Sequence, residues 1–361
     1  SGGQWDTASA TATTFGVVEL SGAIKVPGDY ATIQAAINAA YPGTTIEVLP
    51  GTYTEVLLLA KPVKIFSTGG AGVTTINVGG LGSVEFAAGT TTDTTLEGFT
   101  ITGASADPAI WAFAQSASGR VSRCIITGNT GSTGAAIFLG NKTGMMTFEN
   151  CVISGNTASA GAAIFTNLAS SNSLFVNCRI TGNWSGSTTS PCVTVQGGTV
   201  TLRNCTIAGN TNQGPAGIMA AGGHIRIHNT ISRERFATEG GGVITATYTN
   251  VLDGWAGAGN FDADPRFLGG GSYSLLADSP CIDAGDIVQY TGFGPATDLA
   301  GNPRGKNDPN VPNTGNGAPP IDLGAYEFQP LDPDCPADFN GDGFVNGDDY
   351  DAFAEHFEEG C

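Results

Sequence analysis

Charge is scarce in this chain: 13% of its 361 residues are charged, and only 14 are Lys or Arg. Against 32 acidic residues this leaves a formal net charge of −18, which excludes the basic surface that nucleic acid or an anionic membrane requires. No apolar run approaches the ~18 residues of a membrane-spanning helix. Helical periodicity is nearly absent, with one convincing stretch in the whole chain. Acids are few where a catalytic groove would want them, nine across residues 44–250. What is abundant is glycine, 54 residues, with much Thr and Ser and 40% hydrophobic content. That composition describes short strands and many turns around a continuous core.

Those strands repeat. The blocks CIITGN, CVISGN, CRITGN and CTIAGN begin at Cys124, Cys151, Cys178 and Cys205, a strict spacing of 27 residues. A constant period of this length makes each repeat one coil of a solenoid, burying its apolar face only against its neighbours. Three residues before each Cys stand Val121, Phe148, Phe175 and Leu202, and two after it Ile126, Ile153, Ile180 and Ile207. Both columns are apolar and belong to the core. Between them Arg123, Asn150, Asn177 and Asn204 break the strand alternation and mark a tight bend. A second column, Asn129, Asn156, Asn183 and Asn210, follows a Gly in every coil, where Gly-Asn supplies a turn. Its stacked amides can hydrogen-bond along the axis.

The pattern persists outside the strict block, at Phe99, at Asn229 as a further bend, and at Asn250, 21 residues later. A second strand per coil begins at Ala135, Ala162, Cys192 and Gly217. Each coil has room for three short strands. At roughly 4.8 Å per coil, eight or nine coils give a rod on the order of 40 Å. The single helical stretch, residues 30–41, places Ile33, Ala36, Ile37 and Ala40 on one face and stops at Pro42 and Gly43. It is expected to cover the open first coil.

The string "ATIQAAINAAYPGTTIEVLPGTYTEVLLLAKPVKIF" resembles the opening of right-handed parallel β-helix proteins of the pectin-lyase-like superfamily, and the resemblance extends over residues 30 to about 255. It implies an all-β, right-handed parallel β-helix with an N-terminal helical cap. The fold carries many activities, so the resemblance implies no particular one. Residues 261–328, with "FDADPRFLGGGSYSLLADSPCIDAGD", "TDLAGNPRG" and "IDLGAYEF", resemble the C-terminal module of choice-of-anchor Q surface proteins. Their Pro and Gly-Asn turns suggest an irregular cap over the last coil, and Phe261, Phe267, Leu275, Ile282, Ile321, Tyr326 and Phe328 require a core.

The last segment is acidic, with ten of the acids and no Lys or Arg after residue 330. Asp338, Asn340, Asp342, the Phe344 carbonyl and Asp349 stand at positions 1, 3, 5, 7 and 12 of an EF-hand-type loop, with Gly343 at the sharp turn, a set of hard oxygens suited to Ca²⁺. With the apolar helix face that follows, this is similar to a dockerin repeat, of which dockerins carry two and this chain one. The expected organisation is residues 1–24 as an extension or donor strand, 25–255 as β-helix, 256–330 as cap and 331–361 as a small Ca²⁺-binding tail.

Of eight Cys, Cys335 and Cys361 bracket the tail as a disulfide clasp, which implies an oxidising compartment. Cys124, Cys151, Cys178 and Cys205 stack within disulfide range but with parallel side chains. A buried thiol ladder is the expectation and bridges the alternative. Cys192 and Cys281 stay unassigned. The start at Ser1 rather than Met suggests a targeting signal removed or left out.

Enzymes of the resembled superfamily gather carboxylates with Arg or Lys on one outer face. Here Asp93 and Asp107 stand alone, and Glu149 has Ser122 and Val176 as column neighbours. The stretch GHIRIH at 223–228 is similar to the His and Arg-Ile-Lys elements of polygalacturonases, yet their Asn-Thr-Asp and Asp-Asp elements are missing. No catalytic residue is therefore expected, and His224 and His228 read as ordinary surface residues. The resulting expectation is a non-enzymatic, secreted structural protein at the cell surface. It would assemble head to tail into a filament or array, with residues 7–20 available for strand donation. The rival readings are a carbohydrate-binding or polysaccharide-degrading β-helix, and a monomeric attachment protein held by its tail.

Overall fold

The computed structural model describes residues 22–330 apart from 81, 115, 141–143, 168–171 and 293, together with 347, 349–351 and 354. The chain is a right-handed parallel β-helix. Its strands fall into a first sheet of ten, a second of nine and a third of eight, every neighbouring pair parallel, and each coil contributes one strand per sheet in the strict block. Register is fixed by the period of the sequence. Val121 pairs with Phe148, Phe148 with Phe175, and Phe175 with Leu202 in the first sheet. Ile126, Ile153, Ile180 and Ile207 pair in the second, and Ile137, Ile164, Val193 and Ile218 in the third. All are fully buried. Phe148 and Phe175 stack with centroids 4.5 Å apart and planes 4° from parallel.

The bends have a common backbone basis. Arg123, Asn150, Asn177, Asn204 and Asn229 all lie at φ of 46° to 52°, the left-handed region that Asn tolerates best among residues with a side chain. The next member of the column is Tyr248, at φ 48°, and not Asn250. Asn250 pairs with Ile231 inside the second sheet, because the last coil is two residues shorter at this point than the Asn-to-Asn spacing suggests. The second corner is made by Gly128, Gly155, Gly182 and Gly209 at φ of 64° to 67°, leaving the following Asn free to aim its amide inward. A short fourth sheet, Thr130–Thr133, Thr157–Ala160, Trp184–Ser185 and Thr211–Asn212, follows that corner in four coils, one strand per coil beyond the three expected.

Both ends of the stack are partly covered by the chain itself. The helix Ile33–Ala39 buries Ile33, Ala36 and Ile37 and is N-capped by Thr32, whose side chain accepts from the Ala35 amide. Glu55 accepts from the amides of Ile33 and Gln34 at 2.9 and 2.8 Å, adding negative charge at the helix N-terminus. The Gln34 amide acts as one more strand residue for the third sheet, accepting from Leu58 N at 2.7 Å and donating to Leu58 O at 3.4 Å. At the far end, residues 254–262 lie across the last coil. Tyr248 N donates to Ala258 O, Val251 N to Phe261 O, and Trp255 packs on Phe236 at 5.4 Å.

The rest of the C-terminal module does more than cap. Residues 265–328 fold back along the outside of the coils as far as the Asn177 bend. A ribbon of Phe267–Gly269 and Ser272–Leu275 sets Tyr273 under Arg179, 5.6 Å from its guanidinium carbon. Tyr290 and Ile321 pack on Val176. Gly324 passes so close to the second sheet that a Cβ there would lie 2.8 Å from Thr206 Oγ1 and 2.9 Å from Ile231 Cδ1.

Candidate functional site

Two polar columns run along the rod, and each ends in chemistry the repeat does not predict. The inner column is the Asn ladder. Asn129 Nδ2 donates to Asn156 Oδ1 at 2.9 Å, Asn156 to Asn183 at 2.9 Å, and Asn183 to Asn210 at 2.8 Å. Each Oδ1 also accepts the backbone N–H of the preceding Asn at 3.1 Å. The ladder terminates on an acid: Glu234 Oε1 accepts from Asn210 N at 2.8 Å and Nδ2 at 3.2 Å. Glu234 is 8% exposed. Burial pushes its carboxyl up to about 7, with the Asn210 bonds pulling the other way.

The outer column is the bend itself, where the C-terminal module supplies partners. Arg304 Nη2 donates to Asn177 Oδ1 at 2.7 Å, and Asn177 Nδ2 donates to Tyr290 Oη and Thr297 O. Asn204 Nδ2 donates to Asp322 O, and Asn229 Oδ1 accepts from Asp286 N. Arg304 also pairs with Glu327 at 3.1 Å, the two side chains 3% and 0% exposed. Around them sit buried Asp283, Asp298, Asp308 and Asp322, most of whose oxygens accept backbone amides. Burial raises Asp322 well above the carboxylate range and Asp283 to about 6.

Two crevices among the described residues border these columns or the sheet beside them. One, of about 490 Å³, lies on the outer face of the first sheet between Lys64, Asp93, Glu97 and Arg120. Its Glu97 is paired with Arg123 at 2.6 Å, and its Arg120 with Glu149 at 2.9 Å. The other, of about 480 Å³, lies where the module stops, between Arg123, Asn150, the loop 297–301 and Tyr326.

Of the residues singled out from sequence, Asp338, Asn340, Asp342, Phe344, Cys335 and Cys361 lie outside the described residues. Asp349 is described, 4% exposed, on a helical turn with Tyr350. Among the described residues no three His, Cys, Asp or Glu side chains are grouped to hold a metal. Cys124, Cys151, Cys178, Cys205, Cys192 and Cys281 are all free, buried thiols. The stacked ones donate to backbone carbonyls, Cys178 to Phe148 O and Cys205 to Phe175 O at 3.4 and 3.5 Å. Burial lifts Cys192 and Cys281 to about 12, so neither is poised as a nucleophile. His224 is exposed; His228 shares a 2.8 Å hydrogen bond with Thr247 Oγ1. Burial, then Arg203 and Arg226, lower the His228 pKa.

Sequence reasoning missed Glu234 and Arg304. Glu234 sits 24 residues after Asn210, in a shortened coil without the Gly-Asn pair that flagged the other rungs. Arg304 reaches Asn177 across 127 residues, a separation with no local signal.

The sequence profile of the family described as "Right handed beta helix region" matches residues 86–252. No curated protein matches the chain. Among solved structures, one titled "Crystal structure of pectate lyase Pel9A" is similar at 14% identity and a TM-score of 0.41, over 85% of this chain and 96% of that one.

Proposed function

We propose that the protein is a non-enzymatic structural rod of the extracellular surface that assembles through its terminal segments, 1–21 and 331–361. The observation that carries this reading is the partial cover of both ends of the stack by the chain itself, through Gln34 on Leu58 at one end and residues 254–262 at the other. Cover of this kind leaves fewer strand positions among the described residues on which another solenoid could simply add a strand. The flanks support the same reading. On the first sheet the acids are divided between separate ion pairs, Arg120 with Glu149 and Arg123 with Glu97, and do not converge on one point. The terminal segments carry the means of contact: a β-prone stretch at 7–20, and an acidic tail whose Asp338, Asn340, Asp342, Phe344 and Asp349 fit Ca²⁺ by ligand type and spacing. End-to-end assembly into a filament or array then depends on those segments, with Ca²⁺ ordering the second.

The test is light scattering of the full chain over a range of protein and Ca²⁺ concentrations, alongside a variant lacking residues 335–361. Association that rises with Ca²⁺ and disappears in the shortened protein is expected. A particle that stays monomeric throughout removes the assembly reading, and cleavage of a polyuronate by the purified protein removes the non-enzymatic one.

A further inference from the structure

The outer face of the first sheet has a covered part and a bare part. Leu174 and Val176, on the strand Asn172–Val176, pack with Ile287, Tyr290 and Ile321 of the C-terminal module. Further along the same sheet, the strands His224–His228 and Val243–Thr247 leave His224, Arg226, Val243 and Thr245 exposed. Register gathers the basic residues here. Arg203 stands opposite His228, Thr201 opposite Arg226, and Thr199 opposite His224. Alternate residues of a strand point to one side, so Arg203, His224, Arg226 and His228 share this face.

The patch is a local exception in a chain of net charge −18. Six other Arg are each matched to an acid, whereas Arg226 has neither an ion pair nor a hydrogen bond among the described residues. The acids nearest the patch do not cancel it. Glu149, two coils away in the column of Arg203, is paired with Arg120. Glu239 stands beyond the Gly240 to Gly242 corner, in the third sheet. Asp286 remains, its Oδ1 accepting from Val288 N and Asn316 Nδ2. At His228, burial and then Arg203 and Arg226 lower the pKa, and Asp286 opposes them with the smallest effect. The field over these strands is positive with Asp286 counted.

The complementary charge lies in the same chain. Residues 331–361 hold ten acids and no Lys or Arg. They follow the module where it meets the rod: Phe328 N donates to Asp322 Oδ2, and Asp322 O accepts from Asn204 Nδ2 at 3.1 Å, on the residue after Arg203. At up to ~3.3 Å per residue, this segment has ample reach across the two or three coils involved. Tethering also gives it a millimolar-scale effective concentration, which populates surface charge contacts too weak to join separate molecules.

We propose that the acidic segment 331–361 docks on its own rod, against the face of Arg203, His224, Arg226 and His228, extending the cover that the module begins. The contact needs only the carboxylates, without Ca²⁺ or a second subunit, so it does not rest on the assembly reading.

The experiment is zero-length carbodiimide coupling, which joins an amine to a carboxylate only where the two touch, applied to full-chain Arg226→Lys in chelator. The substitution keeps the charge and supplies the amine. Mass spectrometry should find position 226 joined to an acid between Asp332 and Glu359, with the yield at least ~10-fold lower in 1 M salt, where the screening length falls to ~3 Å. In a mixture of isotopically light and heavy chains, the links should stay within one label. Arg226→Glu, at an exposed position, should leave the melting of the coils unchanged and speed chymotryptic cleavage at Tyr350 and Phe357 by ~5-fold. Coupling of position 226 to Asp286 alone or to nothing, links across labels, a yield indifferent to salt, or cleavage unaltered by Arg226→Glu would each overturn the proposal.

Discussion

Glu234 is the residue whose position makes the sharpest demand. It ends a ladder of neutral amides, and as a carboxylate it accepts two hydrogen bonds from Asn210 while buried. Burial outweighs those bonds and raises its pKa from 4.5 to about 7. Because the folded value lies above the unfolded one, its contribution to stability is complete below pH 4.5 and is lost as pH rises through 7. A tenfold change in proton affinity is worth ~1.4 kcal/mol, so the pH-dependent part amounts to roughly 3 kcal/mol at most. Glu234→Gln keeps an acceptor for Asn210 and removes the ionisation. Chemical denaturation from pH 4.5 to 8 should show the wild type losing stability relative to the variant across that interval, with the variant more stable at pH 8. Parallel curves would mean that Glu234 remains charged and solvated in the folded chain. The amide rungs were legible in sequence because Gly-Asn recurs every 27 residues, whereas the terminal Glu was not: a ladder cap is unique by construction, and no periodicity can announce it.

At the scale of the element, the C-terminal module is bound to the rod through a row of bend amides, and a buried ion pair inside the module, Arg304 with Glu327, holds the guanidinium that reaches one of them. Arg304 is its keystone, donating to Asn177, Gly324 and Glu327. Removing one partner of a buried pair costs about 3–5 kcal/mol, because the other charge is stranded. Arg304→Ala should therefore lift residues 286–328 off the coils while the coils stay folded, since their core of Val121, Phe148, Phe175 and Leu202 does not involve the module. Hydrogen exchange reads this directly: faster exchange at Gly324 and Ala325, whose amides donate to Asn229 O and Thr206 Oγ1 of the coils, with protection of the Ile153 and Ile180 strands retained. Unaltered exchange at both positions would show that Arg304 holds nothing. The strands themselves, the cap helix and its buried face could be read from apolar spacing, because neighbours in the stack are neighbours at a fixed sequence interval. The fold-back of the module could not. Its contacts join residues more than 100 apart, as Asn177 to Tyr290, and its sequence asks for a core without saying against which coils. The Asn250 error has a related origin: once the coil length changes, the same residue type stops meaning the same place.

For the whole molecule the distribution of charge matters more than its sum. Ten of the 32 acids lie after residue 330, with no Lys or Arg among them, so the C-terminal segment of an otherwise weakly charged chain carries a concentrated negative charge. On the proposed reading, the carboxylates of Asp338, Asp342 and Asp349 and the amide oxygen of Asn340 suit a hard divalent cation, whose charge would offset that of the segment. Calorimetric titration of the full chain with Ca²⁺ should show about one high-affinity equivalent, lost in Asp342→Ala and competed by chelator. The coils do not depend on that ion, since they are held by the core running from Val26 to Ala246. Chelation should accordingly leave the main unfolding transition in place while abolishing any Ca²⁺-dependent association. If chelation instead lowers the melting of the coils, the tail is part of the fold of the rod rather than a separate point of attachment.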